Sequence, residues 1–319
     1  MTDNQKKTPL IILTGPTAVG KTALSIRLAH ALGGSVISAD SMQVYRGMNI
    51  GTAKIRPEEM EGIPHYLIDI LDPSEEFNVM LFQQYAKQAI REILLQGRVP
   101  ILTGGTGFYI QAVLYDIDFT QEESDPSLRK QLETLAAEQG GHVLHERLAR
   151  IDPVSAEMIH ENNLKRMIRA IEFYEKTGIP ISQHNFEQRK RCSPYDFRYF
   201  VLTDDRGAIY RRIDHRVDRM IELGLEDEVR ALMKAGIPET CTAMQGIGYK
   251  EFIPWLRGRI DREEAVRILK RDTRHFAKRQ LTWFRREKDV VWIDRREYDD
   301  NEEQILAAML ARCEDLTDW

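Results

Sequence analysis

Three features of the 319-residue chain predict an α/β fold, a parallel sheet flanked by helices and interrupted by an all-α insertion. The first third alternates short β-rich runs with helical patterns, the way parallel strands joined by crossover helices read in sequence. The first run, LIIL at 10–13, passes through Gly15-Pro16-Thr17-Ala18-Val19-Gly20-Lys21-Thr22 into a helical pattern. That is the phosphate-binding pattern G-x-x-x-x-G-K-[ST] in its strand–loop–helix setting, which makes a P-loop NTPase-like sheet the expectation. From 125 to about 191, helical patterns follow one another with polar breaks and no convincing strand.

In chain order, strands are expected at 10–13, 35–38, 66–70 and 99–102, with helices at 21–32 and 78–96. Residues 1–115 form the first part of the core, 116–195 the helical insertion, and 196–319 the rest of the core with basic C-terminal helices. In that last part, FRYFVL at 197–202 and VVWI at 290–293 return to the same sheet, with helices at 209–235, 249–256 and 262–286. Ligands of such sheets gather at the carboxyl ends of the strands. The first four strands end in the phosphate loop, Asp40, Asp69 and the turn Gly104-Gly105-Thr106-Gly107.

An apolar content of 42% is ample for a packed core. The net charge of −5 and a pI of 6.0 do not announce a nucleic-acid binder, so any such role must come from local charge. Cys192, Cys241 and Cys313 form no C-x-x-C pair, which argues against a disulfide framework or a zinc site. The apolar run near the N-terminus is too short for a signal peptide and no stretch is long enough to span a bilayer. A cytoplasmic protein with no membrane association is expected, as a monomer.

The loop's glycines let successive N–H groups point inward, and the following helix adds the positive end of its dipole. Lys21 is placed to reach outer phosphates and the Thr22 hydroxyl to hold Mg²⁺. Asp40 is either a base that takes a proton from an attacking group or a helix cap. Asp69 either steadies the Mg²⁺ through water or caps and faces solvent. The second glycine turn either offers N–H groups and the Thr106 hydroxyl to an anion or merely connects. Two tracts are basic: Lys165, Arg166 and Arg169 on one helix, and 267–288, RILKRDTRHFAKRQLTWFRREK, where cations interleave with His275, Phe276, Trp283 and Phe284. Such mixtures suit a phosphate backbone with unstacked bases, or an amphipathic helix whose aromatics, Trp283 and Phe284 above all, sit in the core. In 210–216, YRRIDHR, Arg212 or Arg216 is expected to face the bound anion.

GPTAVGKT, SADSMQVYRGMNIGTAK, GGTGFYI, QGIGYKE and TRHFAKRQLTWFRR, in that order along nearly the whole chain, resemble the bacterial tRNA dimethylallyltransferases, or tRNA isopentenyltransferases. The resemblance implies transfer of the dimethylallyl group from dimethylallyl diphosphate to N6 of adenosine 37, in tRNAs reading codons that begin with U. It implies that Gly15, Pro16, Thr17, Ala18, Val19, Gly20, Lys21 and Thr22 bind the diphosphate, with Mg²⁺ as cofactor. Asp40 would be the general base and Thr106 would steady the reacting centre. The tRNA anticodon stem-loop would meet Asp40, Ser41, Met42 and Gln43, with Thr106 and Arg129, the latter following Ser124-Asp125-Pro126. It would also meet Lys165, Arg166, Met167, Ile168 and Arg169, then Gln245, Gly246, Ile247, Gly248, Tyr249 and Lys250, and Lys278 and Arg279 of the basic helix. The family usually has Gln where Lys165 stands. A small-molecule kinase explains the phosphate loop, Asp40 and Asp69 equally well but leaves 273–286 without a purpose. A nucleotide-dependent RNA-binding switch would call for a base-recognition motif such as N-K-x-D, which is not found.

Overall fold

The computed structural model describes residues 7–119, 126–188 and 190–316. Ser124 and Asp125, expected to lead into the insertion, lie outside the described residues. Two compact units emerge, one built from the chain up to Leu114 and from Pro194 onward, the other from Tyr115–Ser193.

The larger unit is organised by a six-stranded sheet in the order β3-β2-β4-β1-β5-β6, formed by β1 (Thr8–Thr14), β2 (Gly34–Ala39), β3 (His65–Tyr66), β4 (Val99–Gly104), β5 (Tyr195–Thr203) and β6 (Val290–Asp294). Every pairing is parallel. Leu10, Ile11, Ile12 and Leu13 are fully buried, as a central strand covered on both faces requires. The covering helices are α1 (Lys21–Leu32), α2 (Val79–Leu95) and α3 (Gly107–Leu114). Asn78 caps α2 by accepting from Met80 N and Leu81 N, which fixes where that helix starts.

The smaller unit is all helix among its described residues: α4 (Pro126–Gln139), α5 (Gly141–Ile151), α6 (Pro153–Met158), α7 (Leu164–Thr177) and α8 (Ile181–Gln188). Leu132, Leu144, Leu148, Met167, Ile168 and Ile171 form its core. The buried Asp152 ties it together, accepting from the N–H and hydroxyl groups of both Ser155 and Ser182 at 2.6–3.0 Å. Burial pushes its carboxyl up, but these four donors outweigh it and hold it below the ordinary range.

Back in the larger unit come α9 (Arg206–Glu222), α10 (Leu225–Lys234), α11 (Ile253–Leu256), α12 (Arg262–Phe284) and α13 (Glu302–Leu310). Three expectations need correction. The strand expected at 66–70 stops at Tyr66, because Leu67 and Asp69 are left-handed and the backbone of 69–71 instead bonds to Gln43 and Val44. The helix expected at 209–235 is two helices, broken where Gly224 adopts φ 92° and caps α10. Of the helix expected at 249–256 only the last turn forms, because 246–252 is a chain of turns packed on the loop that follows β2. Among the described residues no helix is long and apolar enough to cross a membrane.

Candidate active site

The phosphate loop leaves β1 against its neighbour strand. Gly15 has φ 147°, and a Cβ there would stand 2.5 Å from the carbonyl oxygen of Leu202, so only glycine fits. The loop's carbonyls are then held by cations, Lys21 from the cavity side and Arg212 and Arg295 from the other. Lys21 Nζ donates to Gly15 O at 2.9 Å and Pro16 O at 2.8 Å, Arg212 Nε to Ala18 O at 2.9 Å, and the buried Arg295 to Val19 O at 3.2 Å. The loop runs directly into the N-terminus of α1 at Lys21, where backbone N–H groups and the helix dipole favour an anion.

This anion cradle opens into a cavity of about 340 Å³. Thr17, Lys21, Thr22, Asp40, Gln43, Gly104 and Gly105 line its polar side, and Val36, Ile55, Ile68 and Phe276 supply apolar wall. Arg216 also lines it and donates to Thr17 Oγ1 at 3.0 Å. Arg212, by contrast, is committed to Ala18 O and to an ion pair with Asp204, so of the two arginines expected to face the anion it supports the loop from behind. Burial lowers the Lys21 ammonium to about 7, helped by the neighbouring Arg216 and opposed by Asp40. Burial also lowers Arg216, and Asp40 again opposes. Two desolvated cations packed side by side without a full counter-charge form a site that an anion would relieve.

Asp40, at the end of β2, accepts from Met42 N at 2.8 Å and Gln43 N at 3.3 Å. No helix starts here, so the helix-cap expectation is corrected: Asp40 caps a turn, and it also lines the cavity. Gln43 is oriented by Ser38 Oγ at 3.0 Å and by its own donation to Thr52 O at 3.3 Å. The backbone N–H of Thr106 donates to Ala39 O at 3.3 Å, which sets the second glycine turn beside the Asp40 strand end. Asp69 is placed otherwise than a metal-site reading needs. It pairs with the buried Lys54 at 2.5 Å, and Lys54 also donates to Tyr45 O and Asn49 Oδ1. Among the described residues no cluster of three His, Cys, Asp or Glu side chains is arranged to hold a metal. Thr22 lines the cavity, and its hydroxyl is an oxygen ligand that this loop could offer a Mg²⁺, an ion that usually keeps few protein ligands.

The residues expected to meet RNA divide by exposure. Lys165, Arg166, Gln245, Lys250, Lys278 and Arg279 are exposed; Ser41, Met42 and Ile247 are half-buried, as is Arg169. Met167 and Ile168 belong to the core of the helical unit, and Gly246, Gly248 and Tyr249 are buried, so they support a surface rather than offer side chains to it. Arg129 makes a bidentate pair with Glu172, Nε to Oε1 at 3.1 Å and Nη2 to Oε2 at 2.7 Å.

Three residues that matter here were not singled out from the sequence. Glu228 of α10 accepts from the backbone N–H groups of Asn49, Ile50 and Gly51 and from Tyr249 Oη at 2.7 Å, clamping the loop after β2. Burial and the Glu228 charge push the Tyr249 hydroxyl well above the ordinary phenol range. Arg295 lies behind the phosphate loop, and Gln280 of α12 bonds both glycine turns. Each acts across a long stretch of sequence. The one available signal was a long polar side chain, Gln280, on the i, i+4, i+7, i+11 stripe with Thr273, Ala277 and Phe284.

A β1 strand running into an anion cradle at the centre of a parallel sheet, with the neighbouring β4 ending in a second glycine turn, defines the class: a P-loop α/β fold. Within it the chain belongs to the IPP transferase family, whose model matches residues 43–287. It is 59% identical over 302 residues to a tRNA dimethylallyltransferase of Lachnoclostridium phytofermentans, covering 95% of this chain and 96% of that one. It is 53% identical to the tRNA dimethylallyltransferase of Carboxydothermus hydrogenoformans, covering 89% and 91%. Among solved structures it resembles the full-length tRNA isopentenylpyrophosphate transferase of Bacillus halodurans, with TM-score 0.73 and 45% identity over 97% and 98% of the chains. It also resembles a eukaryotic dimethylallyltransferase acting on tRNA, with TM-score 0.77 and 32% identity over 90% of this chain and 74% of the other.

Proposed function

We propose that this enzyme transfers the dimethylallyl group of dimethylallyl diphosphate to N6 of adenosine 37 of tRNA, releasing diphosphate. The observation that carries the reading is the pairing, in one cavity, of a cationic anion cradle with an apolar wall of Val36, Ile55, Ile68 and Phe276 and a carboxylate, Asp40. A donor with a charged head and a five-carbon tail needs both surfaces.

In the reaction the allylic C1–O bond breaks, its electron pair leaving with the diphosphate, while N6 bonds to C1 and loses a proton to Asp40. Charge grows on the leaving oxygens, where the loop N–H groups, Lys21 and Arg216 of the cavity wall would stabilise it. A bound Mg²⁺, held by Thr22 and the phosphates, would add neutralising charge there. The exocyclic amine is a weak nucleophile, so positioning and an adjacent base supply what it lacks. The adenine must leave its stack to reach the cavity, at a cost of a few kcal/mol that a loop nucleotide keeps low. The exposed cations Lys165, Arg166, Lys278 and Arg279 suit the phosphates of an anticodon stem-loop. The cation of Arg279 lies 5.8 Å from the Phe276 ring, so basic and aromatic groups meet on α12.

The test is incubation with unmodified tRNA and labelled dimethylallyl diphosphate, and in parallel with labelled ATP. Label entering tRNA from the first alone is the expected result. Label passing from the ATP γ-phosphate to a small acceptor would replace this reading with a kinase.

A further inference from the structure

Helix α12 turns one polar side chain, Gln280, into the site. It is 6% exposed, and both ends of its amide are used. Nε2 donates to Gly105 O at 3.0 Å and Oε1 accepts from Thr17 N at 2.9 Å. The orientation is forced, since a reversed amide would set NH₂ against N–H and C=O against C=O. Both partners are main-chain groups, one on each glycine turn. The contact at Gly105 is close enough that a Cβ there would stand 2.0 Å from Nε2. At the strand ends beneath, Thr14 Oγ1 donates to Gly104 O at 2.7 Å and Thr103 Oγ1 to Leu13 O at 3.0 Å, which ties β1 to β4 within the sheet. Beyond the sheet, Gln280 bonds both turns, while Thr17 is held on its other side by Arg216.

We propose that Gln280 is a positioning residue that spans Thr17 and Gly105 and so fixes the gap between the two turns gripping the donor's diphosphate. The inference rests on the transferase reading above. A merely structural glutamine would cost stability when replaced but would leave donor affinity alone. A positioning one alters the cradle's fit to the anion in a folded protein.

The distinguishing variants are Gln280→Ala and Gly105→Ala, which bring no charge to the cavity, with Gln280→Glu beside them as a pH-dependent one whose carboxylate also repels the diphosphate. That carboxylate still accepts from Thr17 N but turns a lone pair on Gly105 O. Once protonated, it regains a donor for that carbonyl. Dimethylallyl diphosphate is titrated without tRNA into the wild type and each variant from pH 5.5 to 8.5, and the ratio of the two affinities is read, which removes the pH trend they share. Expected for Gln280→Ala is binding about tenfold weaker than wild type at pH 8, without recovery as pH falls, and with KM for tRNA unchanged. Gln280→Glu should lose at least as much at pH 8 and recover as pH falls. Gly105→Ala, which displaces the amide, should reproduce the Gln280→Ala loss and combine with that variant non-additively. The two alanine variants keep the question open to test if Gln280→Glu does not unfold cooperatively. A Gln280→Ala ratio near one at pH 8, a loss in Gln280→Glu that ignores pH, or additive alanine variants would each overturn the proposal. If the wild type fails to bind dimethylallyl diphosphate, the transferase reading itself falls. If it binds and Gln280→Ala matches it, only this inference does.

Discussion

Asp40 and Lys21 are opposite tests of the site, one of the proton leaving and one of the charge arriving. Asp40→Asn keeps an oxygen that accepts from Met42 N and Gln43 N, so the loop and tRNA affinity should persist. The chemical step should fall by about 10²–10⁴-fold in single-turnover assays, the usual loss for a general base. Lys21, lowered to about 7 by burial and Arg216, is only partly charged in the empty site near neutrality. A bound diphosphate favours its protonated form, so binding takes up a proton above pH 7, and affinity declines as pH rises through and beyond 7. Calorimetry in two buffers of different ionisation enthalpy reads that uptake directly, and Lys21→Met should abolish it. That these two residues face one cavity was legible in the sequence because each belongs to a local pattern at a strand end. Gln280, Arg295 and Glu228 were not, because their partners are main-chain groups distant in sequence, and no spacing rule reaches that far.

At the scale of elements, local signals fixed the long strands and most helices, since burial on both faces of β1, β4 and β5 leaves continuous apolar runs. They failed where backbone hydrogen bonds were claimed by another segment. HYLID looks like a strand, but past Tyr66 its backbone serves the loop after β2, and Asp69 goes to Lys54 instead of the site. That loop is itself shaped by α10. The Glu228 carboxylate meets three backbone N–H groups and the Tyr249 hydroxyl, charge-assisted bonds of the stronger kind. Glu228→Ala should therefore destabilise the protein by about 2 kcal/mol or more in urea unfolding. It should also raise KM for tRNA, because the segment carrying Ser41 to Gln43 loses its anchor. Unchanged stability would make the clamp incidental.

Across the whole molecule, a chain with net charge −5 must bind a polyanion through local patches. The tRNA affinity should fall steeply with salt, and Lys278→Ala/Arg279→Ala should lessen the slope of log affinity against log salt by somewhat under two. Donor affinity should not follow that slope. Periodicity changes near residue 115 and again near 195, close to where the chain divides into a unit built on the sheet and one whose described residues form only helices and their connections. The fate of single cations was not legible: Arg129 carries no mark that it will be spent on Glu172. The pair Arg212 and Arg295 behind the phosphate loop has a kinetic consequence. It is made of contacts that do not involve the donor, so the cradle keeps its shape as the bond breaks and is still closed around the more highly charged diphosphate that departs. Rapid-quench experiments should then show a first turnover faster than the steady rate, with a burst equal to the enzyme present, the later cycles waiting on an occupant that is slow to leave.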